Sequence, residues 1–247
     1  MLENFDKAGK IFIFGMLIGT FFLLITEISF EPAAEATLKA LETKARSFPQ
    51  EDSFLSLAIF LNNTLAASLA SIVPAGFVLF MLWGRKNVEL WKKIGGGKLS
   101  ASIDEKIWKL ITKLKDDASK IPDKLGREVY ILAYGIPCLV MVVNGWLFGF
   151  LITNELVQSG LAGMTEFLKW TLPHGIIEIP ALIASASLGY SLADRLLDPF
   201  YKISETDMKK KVKAQIKSRK TLKGWIVIIS VLLLATIIET FLTPTIA

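Results

Sequence analysis

The chain has 247 residues, 52% hydrophobic and 21% charged, with a formal net charge of +5 at pH 7. The apolar residues gather into runs of roughly the 20 residues that cross a bilayer, separated by charge-rich stretches. A soluble fold of this size would need several long helices buried on every side, and the longest stretch between runs, residues 84–129, is short for a separate soluble domain.

The first run spans 11–28, after a short segment containing Lys7 and Lys10. It resembles a signal peptide, but Glu27 and Phe30 stand where a small-x-small cleavage pattern belongs, so an uncleaved first span is expected. Gly15 and Gly19 form a G-x-x-x-G pair, which lets two helix backbones approach closely. That approach serves either packing inside the bundle or a homodimer face. Residues 29–52, mixed and alanine-rich, predict a short helix at the membrane surface.

The second run, 53–83, would measure about 46 Å as a straight helix, more than a bilayer core. It must be tilted, kinked at Pro74, or divided into a re-entrant piece and a span. Asn62 and Asn63 in its first half suit a helix break or polar contacts within a bundle.

Residues 84–129 hold twelve Lys or Arg. After Gly95–Gly97, the apolar residues Ile103, Ile107, Leu110, Ile111 and Leu114 recur at helical spacing and predict an amphipathic surface helix. The glycines lack a phosphate-loop pattern, and the lysines lack the interleaved aromatics of a nucleic-acid surface, so no nucleic-acid partner is expected.

The third run, 130–153, carries Pro137, Asn144, Gly145 and Gly149, and its Asn-Gly marks a close helix contact or a local break. A short loop, 154–169, leads to the fourth run, 170–193. A second basic stretch, 194–223, holds ten Lys or Arg. There Met208, Val212 and Ile216 suggest another surface helix. The fifth run is 224–242, with Glu239 near its far end.

The basic stretches are alternate loops if there are five spans. Segments 1–10, 84–129 and 194–223 hold two, twelve and ten Lys or Arg, against three, one and none in 29–52, 154–169 and 243–247. The positive-inside rule then puts the N-terminus in the cytoplasm and the C-terminus outside.

The fourth run contains the only histidine, His174, and Glu178 four positions on, between Pro173 and Pro180. On a helix that spacing stacks the two on one face. Ionisable groups within a span belong against the bundle or a wet cavity. The expected partners of Glu178 are His174, Asn62, Asn63 and Asn144. Three uses are open: a buried network fixing helix order, a transport or proton-relay site in a helix distorted by its prolines, and an enzyme centre. The last is poorly served. His174 and Glu178 give at most two metal ligands in an H-x-x-x-E spacing, and Ser185 and Ser187 have no nucleophile motif around them.

Leu61-Asn62-Asn63, Asn144-Gly145 with Gly149, and Pro173-His174-Gly175 with Glu178 and Pro180 resemble the stage II sporulation protein M family. The resemblance covers about 11–243, and its most specific element is PHGIIEIPA, 173–181. It implies a five-span membrane protein that acts as a scaffold. In spore formers the named member recruits two peptidoglycan-cleaving partners to the septal membrane and is not itself a hydrolase. The family's features fall on Asn62, Asn63, Asn144, Gly145, His174, Gly175 and Glu178, with no chemistry assigned.

The expectation is an all-α, polytopic integral membrane bundle, one membrane domain over 1–247, with five transmembrane helices and amphipathic helices in the cytoplasmic loops 84–129 and 194–223. It is a multi-pass cell-membrane protein, a scaffold or assembly factor with no enzymatic activity. A transporter or channel component using His174 and Glu178 is the alternative. The polar site is Asn62, Asn63, Asn144, His174 and Glu178. The close-packing glycines are Gly15, Gly19, Gly145, Gly149 and Gly175. No catalytic residue, metal or cofactor is expected. The partners are the lipid bilayer and other membrane proteins or a second copy.

Overall fold

The computed structural model describes residues 2–29, 52–86, 124–200 and 205–242, and every described element is helical. In order they are α1 (Leu2–Ser29), α2 (Asp52–Ser71), α3 (Val73–Lys86), α4 (Lys124–Phe200), α5 (Glu205–Ile216) and α6 (Arg219–Ile237). A π-helical turn, Ile238–Leu242, continues α6. The surface helices expected in 29–52 and in 103–114 lie outside the described residues.

Inward positions of α1 recur at spacings of three and four: Ala8, Phe12, Gly15, Gly19 and Leu23 are buried. The opposite face is apolar and open, with Ile13, Phe14, Leu17 and Phe21 exposed. Further exposed apolar side chains stand on α2 (Leu61, Leu65) and on α6 (Ile226, Val227, Leu234). A small bundle with such a surface suits lipid rather than water. Among the described residues, three helices are long and apolar enough to cross a membrane: Glu3–Leu24, Val129–Leu197 and Arg219–Phe241. A bent pair, Phe60–Ser71 with Val73–Phe80, makes a fourth.

The bend in that pair is 53°. Pro74 has no N–H, so the ladder cannot run through unbroken. It restarts at the Ile72 carbonyl, which accepts from Ala75 N at 2.9 Å and Gly76 N at 3.1 Å. Ser68 Oγ donates back to Thr64 O at 2.7 Å, and Ser71 Oγ to Ala67 O, bonds that themselves favour bending.

The longest helix, α4, is two arms. The loop expected over 154–169 is helical except at Gly160, with φ 64° and ψ −159°. Glu155, Leu156 and Leu161–Trp170 are mostly competent helix formers, so only the glycine interrupts them. A residue with a Cβ strongly disfavours that conformation. The two arms lie side by side: the Phe148 and Phe167 rings are 6.3 Å apart and the Tyr134 and Tyr190 rings 6.1 Å. The second arm is the centre of the bundle, buried on all sides from Ser185 to Tyr190.

Glycines set how the other helices meet these arms. A Cβ on Gly15 or Gly19 would fall under 3.0 Å from Val142 O or Trp146 O, and one on Gly145 or Gly149 under 3.0 Å from Phe12 O or Met16 O. The two G-x-x-x-G pairs therefore pack into each other, α1 against the first arm. The face with Gly15 and Gly19 is covered within the chain and is not a homodimer face. Asn144-Gly145 marks this contact, not a break. Beside it, Thr153 Oγ1 donates to Thr20 Oγ1 at 3.1 Å. A Cβ on Gly189 would likewise meet Ala70 O, which fixes α2 on the second arm. Gly175, expected among the close-packing glycines, is at no crossing. The nearest atoms to its Cβ position belong to its own helix, Thr171 at 3.7 Å and Ile179 at 4.0 Å.

Ser218 caps α6, its Oγ accepting from Thr221 N at 3.3 Å. In α5, Met208 and Val212 are fully buried against Val78, Val129, Ala133 and Leu196. The surface helix expected in 194–223 thus packs beneath one end of the bundle.

Replacing Gly160 by alanine is expected to cost about 1–3 kcal/mol through backbone strain alone, since nothing lies within 4 Å of its Cβ position. Gly135→Ala, equally unhindered but at an ordinary φ, should be neutral or slightly stabilising. Denaturant unfolding of the two variants in micelles compares them directly. Gly149→Ala, which forces a Cβ into a backbone carbonyl, should also lose about 1–3 kcal/mol in that assay.

Candidate functional site

The polar residues within the bundle divide into those turned toward Glu178 and those that are not. His174 and Glu178 lie one turn apart on the second arm, both half-buried. The arm is regular around them. Pro173 and Pro180 do not distort it, and the only non-helical backbone in α4 is at Gly160. At about 1.5 Å per residue, Glu178 lies roughly 27 Å from the Gly160 turn and roughly 24 Å from Asp194, near the middle of the arm.

The third member is Glu239, in the π turn that ends the last helix. His174, Glu178 and Glu239 each present one donor atom, and these atoms lie within 4.8 Å of one another. Glu239 reaches the site by continuing the inward stripe of α6. Thr221, Trp225, Ile228, Leu232 and Ala235 are buried at alternating spacings of four and three, and the next step of four is Glu239. Sequence reasoning noticed this residue near the end of the fifth run but did not connect it to the pair. The stripe was the available signal.

Asn63 is buried, with 8% of its surface exposed, and its side-chain amide lies near the Glu178 carboxylate. Its own Oδ1 accepts from Asn62 Nδ2 at 3.4 Å, while Asn62 is exposed. Asn144 is engaged elsewhere: its Nδ2 donates to Val140 O at 2.8 Å, within its own helix. His174 Nδ1 is buried and has no hydrogen-bond partner among the described residues. Neither Glu178 nor Glu239 is in an ion pair with a described residue.

A second polar group gathers at the end where α1 begins. Asn4 Nδ2 donates to Ser191 Oγ at 3.0 Å and to Asp194 Oδ2 at 3.3 Å. Tyr134 donates its hydroxyl to Asp194. Lys7 Nζ lies 4.7 Å from the Tyr190 ring centroid and 5.4 Å from that of Tyr134, within cation–π range. These contacts join α1 to both arms and satisfy its polar entry.

The arrangement places two carboxylates and an imidazole at mid-arm, held from two helices. Such a set can share protons, bind a cation, or order the helices. Residues 129–244, which include His174, Glu178 and Glu239, match the family model described as Stage II sporulation protein M. No curated protein and no solved structure matches the chain.

The geometry ranks the asparagines. Asn63→Leu should destabilise the folded bundle by about 0.6–1.7 kcal/mol, the range of side-chain hydrogen bonds in membrane proteins. Asn62→Leu, exposed and apolar-facing, should be neutral or better. Equilibrium unfolding in detergent, read by tryptophan fluorescence, distinguishes them, and equal losses would contradict the placement of Asn63 against Glu178.

Proposed function

We propose, from its membership of the stage II sporulation protein M family over residues 129–244, that this chain is a five-span membrane scaffold or assembly factor without an enzymatic activity of its own. The observation that carries this reading is the interlocked glycine packing. Backbones that touch through Gly15, Gly19, Gly145, Gly149 and Gly189 leave little room for the sliding that a carrier needs. A scaffold needs one durable shape with an open rim, and the exposed apolar faces of α1, α2 and α6 provide that rim to other membrane proteins or to a second copy.

The length of α4 supports the count of five. Its 69 residues Val129–Leu197 would extend about 100 Å as one helix, so the turn at Gly160 divides it into two crossings. With α1, the bent pair and α6 this gives five. The basic ends agree with a single side. The start of α1 meets residues 190–194, and α3, α5 and both arm ends share one core cluster. That side is the cytoplasmic one by the positive-inside rule, with the Gly160 turn and the C-terminus outside.

A transport reading has one observation in its favour, the carboxylates held at mid-arm. Proteoliposomes separate the two. The scaffold reading expects no protein-dependent proton or solute flux, and the same photocrosslinked membrane partners for wild type and Glu178→Gln with probes at Phe14 and Ile226. Flux in the wild type that Glu178→Gln abolishes, with partners unchanged, would establish transport instead.

Topology has its own test. In a Cys138→Ser background, a membrane-impermeant maleimide on intact cells should label Ser159→Cys and leave Lys220→Cys unlabelled. The reverse pattern would invert the orientation.

A further inference from the structure

We propose that His174, Glu178 and Glu239 form a binding site for one divalent first-row metal ion of the zinc class, which clasps the second arm of α4 to the end of the last helix. The inference goes beyond the scaffold reading and stands whether or not that reading holds.

Three observations converge. The first is the donor set. One imidazole and two carboxylates present their donor atoms within 4.8 Å of one another. Around an ion with bonds of about 2.0–2.2 Å, tetrahedral ligand atoms stand roughly 3.3 Å apart. A side-chain adjustment on the order of 1 Å in each residue closes that difference.

The second is the absence of another counter-charge. Glu178 and Glu239 face each other within the spans, and neither pairs with a cationic side chain among the described residues. Two like charges in a medium of low polarity are costly unless protonated or neutralised. A divalent ion cancels both at once. Nδ1 of His174 is buried without a partner, so no protein group holds that nitrogen.

The third is how Glu239 is delivered. It is the second residue of a π-helical turn, Ile238–Leu242, the only π segment among the described residues. Such turns are rare and occur frequently at functional sites. Asn63, buried near Glu178, stands where an outer partner of a ligating carboxylate would. The mixed nitrogen and oxygen donors, without a thiolate, favour Zn2+ and its neighbours over Cu(I), and the imidazole disfavours Mg2+ and Ca2+. Three protein ligands leave at least one position for water.

The test uses the full-length chain in nanodiscs, purified with a histidine-free tag and stripped with a chelator. Zn2+ binding is measured by equilibrium dialysis at 150 mM salt with 1 mM Mg2+ present. The wild type should bind one equivalent. Glu178→Gln, Glu239→Gln and His174→Gln should each weaken binding at least 10-fold, Asn63→Leu by about 10-fold, and the exposed control Glu3→Gln not at all. No stoichiometric uptake by the wild type, or undiminished uptake by Glu239→Gln, would overturn the site. Uptake of protons alone by the carboxylates, with no Zn2+ bound, is the competing result and overturns it equally. Should a variant fail to fold, X-ray absorption of the zinc-loaded wild type decides. One imidazole with oxygen ligands is expected. A sulfur ligand, or two imidazoles from a chain with a single histidine, would refute the assignment.

Discussion

Contact between helix backbones is what the rest of this bundle depends on. Within a membrane, apolar side chains gain nothing by leaving lipid for protein, so helices associate through dense packing and a few polar bonds. Here four glycines remove the side chains that would keep α1 and the first arm of α4 apart. With that crossing fixed, Asn4 and Lys7 fall beside residues 190–194 at one end. The second arm then becomes the axis, and Gly189 brings α2 onto it with Asn63 near Glu178.

The result is a bundle with two chemically different levels. Near the ends of the arms, Met208 and Val212 of α5 close an apolar cluster beneath a basic surface. At mid-arm the interior is acidic, with one imidazole. The small residues Ser185, Ala186, Ser187 and Gly189 separate the two levels and are buried without protruding bulk. Ser185 Oγ returns its hydrogen bond to Leu182 O at 2.7 Å, so that hydroxyl is satisfied within its own helix.

Much of this was legible in the sequence, because membrane segments announce themselves by length and by the charges between them. The helical class and the apolar runs could be read directly, while Gly15 and Gly19 read as a packing or dimer face and Asn144-Gly145 with Gly149 as a close contact or a break. What could not be read was which helix each glycine pair faces, since spacing describes a face and not its neighbour. The residues 154–169 looked like a loop because their polarity rises, yet polarity does not break a helix and only Gly160 does. Pro173 and Pro180 looked disruptive, but the arm runs through them. Glu239 escaped because its connection to Glu178 is tertiary: the two lie on different helices and meet only when the inward stripe of α6 is laid against the second arm.

The position of Glu239 also orders events in time. Glu178 is made 61 residues before it, an interval of about 3–12 s at ordinary rates of chain synthesis. Throughout that interval the nascent fourth run carries an ionisable pair whose third member does not yet exist. Asn63, already made, is the available companion to the carboxylate. Until Glu239 arrives, Glu178 is spared a second carboxylate, so like-charge repulsion at the cluster begins only when the two helices meet.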